Sequence, residues 1–215
     1  KDSEIDDNYL FIGDFHTERF NFDDYDYHYV KVSEKELTTR KTLDDLKGKI
    51  YKYNPSIIFI QLGIIDLDED KSVDEIIDNL REIVEKVNEN RPYSEIYVES
   101  LYPINKDVDD YNDKIISKDI DNKKIIENND KIKELVKEKK INYLDLFSVL
   151  SEDDKLKDNY TDNGVELNDN GYKEIRKEID KIVGWWNVKN KKFDKKSKLI
   201  ILIVLLSVLI FSYVL

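Results

Sequence analysis

Five short apolar runs alternate along the chain with longer stretches in which apolar residues recur at helical spacing. The runs are bounded by glycine, proline or asparagine, or by a change to polar residues, which is typical of strands. The run at residues 57–62 predicts a strong, buried strand and follows Asn54-Pro55. We predict strands at residues 9–12, 27–32, 57–62, 95–101 and 141–146.

Three longer stretches have the period of a helix. Ser72 and Glu75 form a capping box. It opens a helix whose apolar face consists of Val73, Ile76, Ile77, Leu80, Ile83, Val84 and Val87. We also predict helix within residues 108–140, where isoleucines recur at helical spacing, and over residues 168–186. Alternating strands and helices predict an α/β fold, with a parallel sheet covered on both faces.

Composition restricts the class of partner. The chain has 215 residues and a formal net charge of −12. Residues 1–188 alone carry about −17, because the segment after them is basic and carries about +5. An acidic surface repels phosphates, so we expect no nucleic-acid partner. The chain lacks cysteine, which excludes a disulfide framework and thiolate chemistry. No feature predicts a cofactor, and none predicts an oligomeric state.

An unbroken apolar run at residues 199–215 follows a lysine-rich segment at residues 189–198. Its length and purity predict a membrane helix, and the lysines predict a cytoplasmic flank. The globular domain is therefore expected at residues 1–188. A true tail anchor would leave that domain in the cytoplasm. A basic segment before an apolar run is also typical of a leading signal anchor, so a circular permutation, with the domain outside, stays open.

Five short blocks of the chain each lie at a predicted strand end or loop. They are Gly13-Asp14 with Thr17, Gln61-Leu-Gly-Ile-Ile-Asp-Leu67, Leu101-Tyr-Pro103, Tyr143-Leu-Asp-Leu146 and residues 160–172. In this order the blocks resemble the SGNH (GDSL-type) serine esterase family over roughly residues 9–180, and five blocks in order make the fold indication strong. The resemblance implies a three-layer α/β/α sandwich with about five parallel strands in flavodoxin-like order. It also implies a parent that hydrolyses carboxylic esters, such as O-acetyl groups on glycans or lipids.

The same resemblance places unsuitable residues at the catalytic positions. It aligns Phe15 with the nucleophilic serine, Ile65 with the oxyanion asparagine, and Asn163 and Glu166 with the aspartate and histidine of the last block. Ser33 falls near the oxyanion glycine and keeps a backbone N–H. Other family positions are retained: Gly13, Asp14, Thr17, Gly63, Asp66, Gly164, Leu167, Asn168, Gly171 and Tyr172. Loss of the nucleophile or base of a triad costs on the order of 10⁶ in turnover.

We therefore expect a pseudoenzyme or altered scaffold, with Phe15 and Ile65 packed together at the pocket mouth. Replacements confined to catalytic positions favour targeted change over drift. Two alternatives stay open. One is a binding module for an ester, acyl or glycan ligand, and the other is a hydrolase with a non-standard carboxylate or metal site.

Few other residues could restore catalysis. His16 is expected at the surface or partly packed, with its ring directed away from position 15, and His28 at an exposed edge. Asp14, Asp162 and Glu166 would suit Ca²⁺ or Mg²⁺ if they met, although solvated carboxylates are the expectation in so acidic a chain. Of the pair Trp185-Trp186, one is expected to pack on the sheet and the other to be partly exposed.

Overall fold

The computed structural model describes residues 6–21, 28–117 and 119–191, with side chains described within 9–21, 28–117 and 119–185. The chain divides into two compact units, Lys1–Glu174 and Ile175–Leu215. The strands are β1 (Asp6–Gly13), β2 (Tyr29–Ser33), β3 (Pro55–Gln61), β4 (Glu95–Glu99), β5 (Asn142–Leu144), β6 (Ser151–Glu152) and β7 (Lys155–Leu156). The α-helices are α1 (Phe15–Arg19), α2 (Thr39–Asp44), α3 (Ile64–Asp68), α4 (Val73–Asn90), α5 (Asn122–Lys139), α6 (Leu146–Leu150) and α7 (Asp169–Lys191). A π-helical turn (Lys47–Tyr51) and a 3₁₀ turn (Asp158–Tyr160) complete the set.

The first five strands form one parallel sheet in the order β2-β1-β3-β4-β5. This confirms the α/β fold, and the strand order agrees with the flavodoxin-like prediction. In the register Gly13 pairs with both Ser33 and Gln61, so the ends of three strands meet at one point. Ligand sites of open parallel sheets lie at the carboxyl ends of the strands, where this convergence occurs.

The two faces of the sheet differ in chemistry. Side chains of successive strand residues point to opposite faces. One face carries Ile12, Ile60 and Val98, which belong to an aliphatic core together with the apolar face of α4 and residues of α5. The other face carries a row of stacked rings, with centroid distances of 4.7 Å for Phe11–Phe59 and 5.4 Å for Phe59–Tyr97.

Helices cover both faces of this sheet within the first unit. The aromatic row is covered by Phe20, whose ring lies edge-on to Phe11 at 6.5 Å and stacks on Tyr172 of α7 at 5.4 Å. Helices α4 and α5 contact each other on the aliphatic side, and α2 contacts α4. The three-layer arrangement therefore agrees with the sequence-based expectation.

Helix α4 begins as the capping box predicts, because the Ser72 hydroxyl accepts a hydrogen bond from the Glu75 N–H. The helix predicted within residues 108–140 is only half right, since α5 covers Asn122–Lys139 and the preceding residues form turns. Side chains compete with helical bonding there: the Asn112 side chain accepts from the Lys114 N–H, and Asp68 accepts from the Ser117 N–H. Ile116 and Ile120 are still buried in the core, which explains why their spacing looked helical.

The predicted membrane helix lies outside the residues that the structure describes. Among the helices of residues 6–21, 28–117 and 119–191, we find none with the length and apolar content to cross a bilayer. The apolar run at residues 199–215 lies outside the described residues, as does most of the basic segment at 189–198. The domain boundary at residue 188 therefore stays a prediction.

Candidate active site

The loop after β1 positions the first group of candidate residues. A Cβ on Gly13 would lie 2.8 Å from the Gln61 carbonyl oxygen and would collide with Thr17, so only glycine fits this corner. The carboxylate of Asp14 caps α1 by accepting a hydrogen bond of 2.9 Å from the His16 N–H. Phe15 is the first helical residue, and its side chain is only 2% exposed.

The loop after β3 brings the second group to the same edge. Gly63 has a φ of +127°, which a residue with a side chain rarely adopts, and α3 begins directly after it. Ile65 lies in α3 and belongs, with Phe15, to the same buried hydrophobic core. Ser33 ends β2 beside Gly13 in the register. Hydrocarbon therefore occupies the two positions that the resemblance aligns with a hydroxyl and an amide.

Asp66 has a structural role at this edge. Its carboxylate accepts hydrogen bonds from the Thr39 N–H, at 3.0 and 3.1 Å, and from the Thr39 hydroxyl. These bonds fasten α3 to the beginning of α2. Burial raises the pKa of Asp66 above its ordinary value, and the hydrogen bonds from Thr39 oppose that shift.

The turn before α7 positions the last group. The Asn163 side-chain oxygen accepts from the N–H groups of Val165 and Glu166, at 3.1 and 2.9 Å. Gly164 has a φ of +75°, and a Cβ there would collide with the Asn105 carbonyl oxygen. Asn168 closes the turn, because its side-chain oxygen accepts from the N–H groups of Asn170 and Gly171.

The side chains of this turn form a polar network instead of an aspartate–histidine pair. The Asn163 amide donates a hydrogen bond of 2.9 Å to one oxygen of Glu166. The other oxygen of Glu166 forms an ion pair of 2.6 Å with Arg19 of α1. The Arg19 side chain is 54% exposed, so the pair lies at the rim of the site. Both carboxylate oxygens of Glu166 are therefore engaged by donors.

His16 differs from its prediction. Its side chain is 2% exposed, not at the surface, and its ring lies 4.0 Å from that of Phe15. One ring nitrogen lies 3.2 Å from a carboxylate oxygen of Asp14, and the other lies 3.3 Å from the Val165 carbonyl oxygen. The sequence pattern did not reveal that His16 is buried, because a helical turn directly after β1 rotates this residue inward. His28 is exposed just before the edge strand β2, as predicted.

The three carboxylates suggested for a metal ion do not meet. Asp14 is fully buried against His16, Glu166 is paired with Arg19, and Asp162 is exposed and bonded to Asn168. In the described part of the chain, no group of three histidine or acidic side chains could hold a metal ion. Of the two tryptophans, Trp185 is 56% exposed, and the side chain of Trp186 lies outside the described set.

A buried acid next to the site was missed by sequence reasoning. Glu99 ends β4, is 5% exposed, and accepts a hydrogen bond of 2.8 Å from the Tyr102 hydroxyl. Burial, and secondarily the charge of Asp14, raises the pKa of Glu99 to about 7, although the Tyr102 hydrogen bond lowers it. The only signal was an acid inside the apolar run at residues 95–101, which does not reveal its neighbours.

Solved structures provide an independent comparison. A presumed platelet activating factor from Streptococcus pneumoniae is 26% identical, with a TM-score of 0.76 over 84% of this chain and 86% of that one. A GDSL-like lipase from Bacteroides thetaiotaomicron is 20% identical, with a TM-score of 0.70 over 83% of this chain and 88% of that one. An acetyl xylan esterase is 13% identical, with a TM-score of 0.64 over 80% of this chain and 97% of that one. The last two establish likeness of fold alone.

Family models give a result that covers most of the chain. No relative was found among proteins with curated functions. The model of the GDSL-like lipase/acylhydrolase family matches residues 12–174, which contain the loops after β1 and β3 and the turn before α7. This chain therefore belongs to the GDSL-like lipase/acylhydrolase family.

Proposed function

We propose that this protein is a non-hydrolytic member of its family, in which the residues of the former ester-hydrolysing site stabilise the fold. The observation that carries the proposal is Phe15, a buried hydrocarbon side chain at the position that the resemblance aligns with the nucleophile. A phenyl ring cannot form an acyl-enzyme, whatever base lies beside it. Ile65 likewise provides no donor for an oxyanion.

The last block supports the same conclusion. Glu166 lies where the resemblance expects a histidine, but its oxygens accept from Asn163 and Arg19. Both oxygens of this carboxylate are therefore already occupied by donors. The network joins α1 to the turn before α7, so its direct effect is to hold these two segments together.

His16 does not restore the missing chemistry. A histidine base needs one ring nitrogen free to take a proton from the nucleophile and the other held by an orienting group. In His16 one nitrogen faces the Asp14 carboxylate and the other faces the Val165 carbonyl oxygen. Both partners are acceptors, so the ring is used as a link between the two loops.

The test compares the unchanged chain with restored variants. We expect the unchanged chain to give no turnover of a short-chain nitrophenyl ester and no labelling by a fluorophosphonate probe. The quadruple variant Phe15→Ser, Ile65→Asn, Asn163→Asp, Glu166→His is expected to hydrolyse the ester. Turnover or probe labelling by the unchanged chain would refute the proposal without any variant.

A matched triple variant isolates the nucleophile. It carries Ile65→Asn, Asn163→Asp and Glu166→His but keeps Phe15. Because a triad without its nucleophile loses on the order of 10⁶ in turnover, the quadruple variant should exceed the triple by at least ~10³-fold even with imperfect geometry. Circular dichroism confirms that both variants are folded. Equal rates in two folded variants would show that position 15 is not the nucleophile position.

A ligand-binding role is the second candidate. Arg19 favours it, because this guanidinium lies at the rim with more than half of its side chain exposed. A ligand of the family's kind, with an ester, acyl or O-acetylated glycan group, would offer oxygens to that guanidinium. Calorimetric titration with an acetylated xylo-oligosaccharide should then give saturable binding that Arg19→Ala or Ile65→Asn weakens. Binding that neither change affects would argue against this site.

Membrane attachment through residues 199–215 is a separate proposal, supported by the purity of the apolar run and its basic flank. Two arginines at its centre, Leu205→Arg with Leu209→Arg, should release the protein from vesicles in a flotation assay. Each charge costs about 2.5–3.5 kcal/mol at the middle of a membrane helix. Ser207→Ala is the control and should still float. If the double variant floats like the unchanged chain, the run is not the anchor.

The side of the membrane on which the domain lies is tested separately, by protease access in intact cells.

A further inference from the structure

A buried polar row follows the aromatic row on the same face of the sheet. Phe59 pairs with Tyr97 and Ile60 pairs with Val98, so the next residue of each strand is Gln61 or Glu99. Side chains alternate between the faces, which places Gln61 and Glu99 beyond Phe59 and Tyr97. Gly13 pairs with Gln61 on the other side and adds no side chain. The row therefore consists of an amide and a carboxyl group beneath the loop that carries Asp14.

This row has more hydrogen-bond acceptors than donors. One oxygen of the Asp14 carboxylate is buried without a partner, and so are both the oxygen and the nitrogen of the Gln61 amide. Glu99 accepts from the Tyr102 hydroxyl, and no ion pair found among the described residues includes Glu99. Unpartnered buried acceptors are costly, and an ionised Glu99 would add a second buried carboxylate charge beside that of Asp14. A proton on Glu99 would remove that charge and add a donor.

The row is connected to the turn before α7. The Tyr102 ring, which holds Glu99, lies 4.7 Å from the His16 ring. His16 in turn contacts the Val165 carbonyl oxygen, 3.3 Å away, and its own backbone carbonyl accepts a hydrogen bond of 2.9 Å from the Tyr172 hydroxyl. Two packed rings therefore connect Glu99 to residues 161–167.

We propose that Glu99 is a proton-operated latch: its neutral form keeps the buried cluster closed, and its ionised form loosens the attachment of residues 161–167 to α1. Asp14 from the loop after β1 and Tyr102 from the segment after β4 face Glu99 directly. Around Tyr102 lie His16 of α1 and Tyr172 of α7. The charge of Asp14 opposes ionisation of Glu99. The latch goes beyond the proposed function and does not depend on it, because it is a property of the fold whether or not an ester is cleaved.

The sign of the effect follows from linkage. An acid whose pKa is higher in the folded state stabilises the fold below its unfolded pKa, and that stabilisation is lost as pH rises through the folded pKa. For Glu99 the window runs from its ordinary value of 4.5 to about 7. The latch is therefore closed at and below about pH 4.5, loosens progressively between pH 4.5 and about 7, and loosens no further above that window.

The protonation state is measured directly by the carboxyl-carbon NMR signal of Glu99 in the full chain. We expect a titration midpoint near 7. Asp14→Asn keeps the helix cap but removes the neighbouring charge, so it should lower the midpoint. Tyr102→Phe removes the hydrogen bond that favours the ionised form, so it should raise the midpoint. A midpoint near 4.5 in the unchanged chain, or shifts in the same direction for the two variants, would overturn the proposal.

The mechanical consequence is measured by hydrogen exchange of the amides of residues 161–167 between pH 5 and 8.5. Protection factors, which correct for the intrinsic pH dependence of exchange, should fall by up to tenfold per pH unit between pH 5 and about 7 and level off above it. Glu99→Gln mimics the neutral acid and should keep protection independent of pH. Glu127→Gln, which removes an exposed acid, should behave as the unchanged chain.

Two outcomes of the exchange experiment contradict the latch. One is protection at residues 161–167 that stays constant with pH in the unchanged chain, and the other is a fall that persists in Glu99→Gln. If Glu99→Gln does not fold, the comparison moves to Tyr102→Phe, whose loss of protection must shift to higher pH together with its Glu99 midpoint.

Discussion

Two sets of residues at the same strand ends differ in what they do. Gly13, Asp66 and Gly164 hold the backbone: the two glycines fit where a side chain would collide, and Asp66 fastens α3 to α2. Phe15 and Ile65, in contrast, stand where the resemblance places groups that touch substrate, and both are now part of the core. The residues that shape the loops are thus retained. Phe15 and Ile65, which the resemblance aligns with catalytic groups, instead belong to the hydrophobic core.

Together with the proposed loss of catalysis, this difference implies that the scaffold folds without the family's catalytic groups. Active sites expose polar groups and strain at a cost in stability, so apolar replacement at such a site is expected to stabilise. Phe15, which the resemblance aligns with the serine, contacts the ring of His16, and Glu166, which it aligns with the histidine, forms an ion pair with Arg19. Changing members of either set therefore tests the comparison, with the largest effect expected at Phe15.

Phe15→Ala should lower the free energy of unfolding by about 3–5 kcal/mol, as for other buried phenylalanines, because it leaves a cavity in the core. Urea unfolding followed by circular dichroism measures the change. A loss of unfolding free energy below about 1 kcal/mol would show that the ring is not part of the core. The distinction between Phe15 and the residues that shape the loops would then be wrong.

Gly164→Ala should destabilise by about 1–3 kcal/mol, because φ is positive there and a Cβ would meet the Asn105 carbonyl. The matched control is Gly184→Ala in α7, where a Cβ would meet nothing within 4 Å. That substitution should stabilise the helix by about 0.5–1 kcal/mol. Thermal unfolding measures both variants. Shifts of the melting temperature in the same direction for the two would contradict the role assigned to Gly164.

Arg19→Ala should have the smallest effect, below about 1 kcal/mol, because the arginine side chain is largely exposed and Glu166 keeps its bond to Asn163. Arg40→Ala removes an exposed ion pair with Asp44 and is the control. The free energy of unfolding of both variants is measured in low salt and in high salt. If Arg19→Ala costs several kcal/mol more than Arg40→Ala, the network at the turn contributes more to stability than its exposure implies.

Much of the fold follows from local patterns. The strands could be located because their apolar runs are short and bounded, and the capping box predicted the beginning of α4 because that bond is local in sequence. Residues 106–120 could not be predicted in this way. Buried isoleucines there have helical spacing, but side-chain bonds to the backbone favour turns, and such competition is decided by tertiary contacts.

The site was predictable where it depends on motif order and unpredictable where it depends on register. The order of the blocks indicated which loops meet. The inward position of His16 depends on how α1 turns after Gly13, and the meeting of Gln61 with Glu99 depends on the pairing of β3 with β4. Neither is encoded in a short window of sequence, because each requires the positions of separate elements.

The shortness of β5 has a consequence for behaviour at high concentration. This outer strand pairs with β4 through only three residues, Asn142–Leu144. An open sheet edge is a template for pairing with foreign strands, and very short edges limit it. We expect that fibril growth by strand addition at this side of the sheet is disfavoured, even when the protein is stored concentrated.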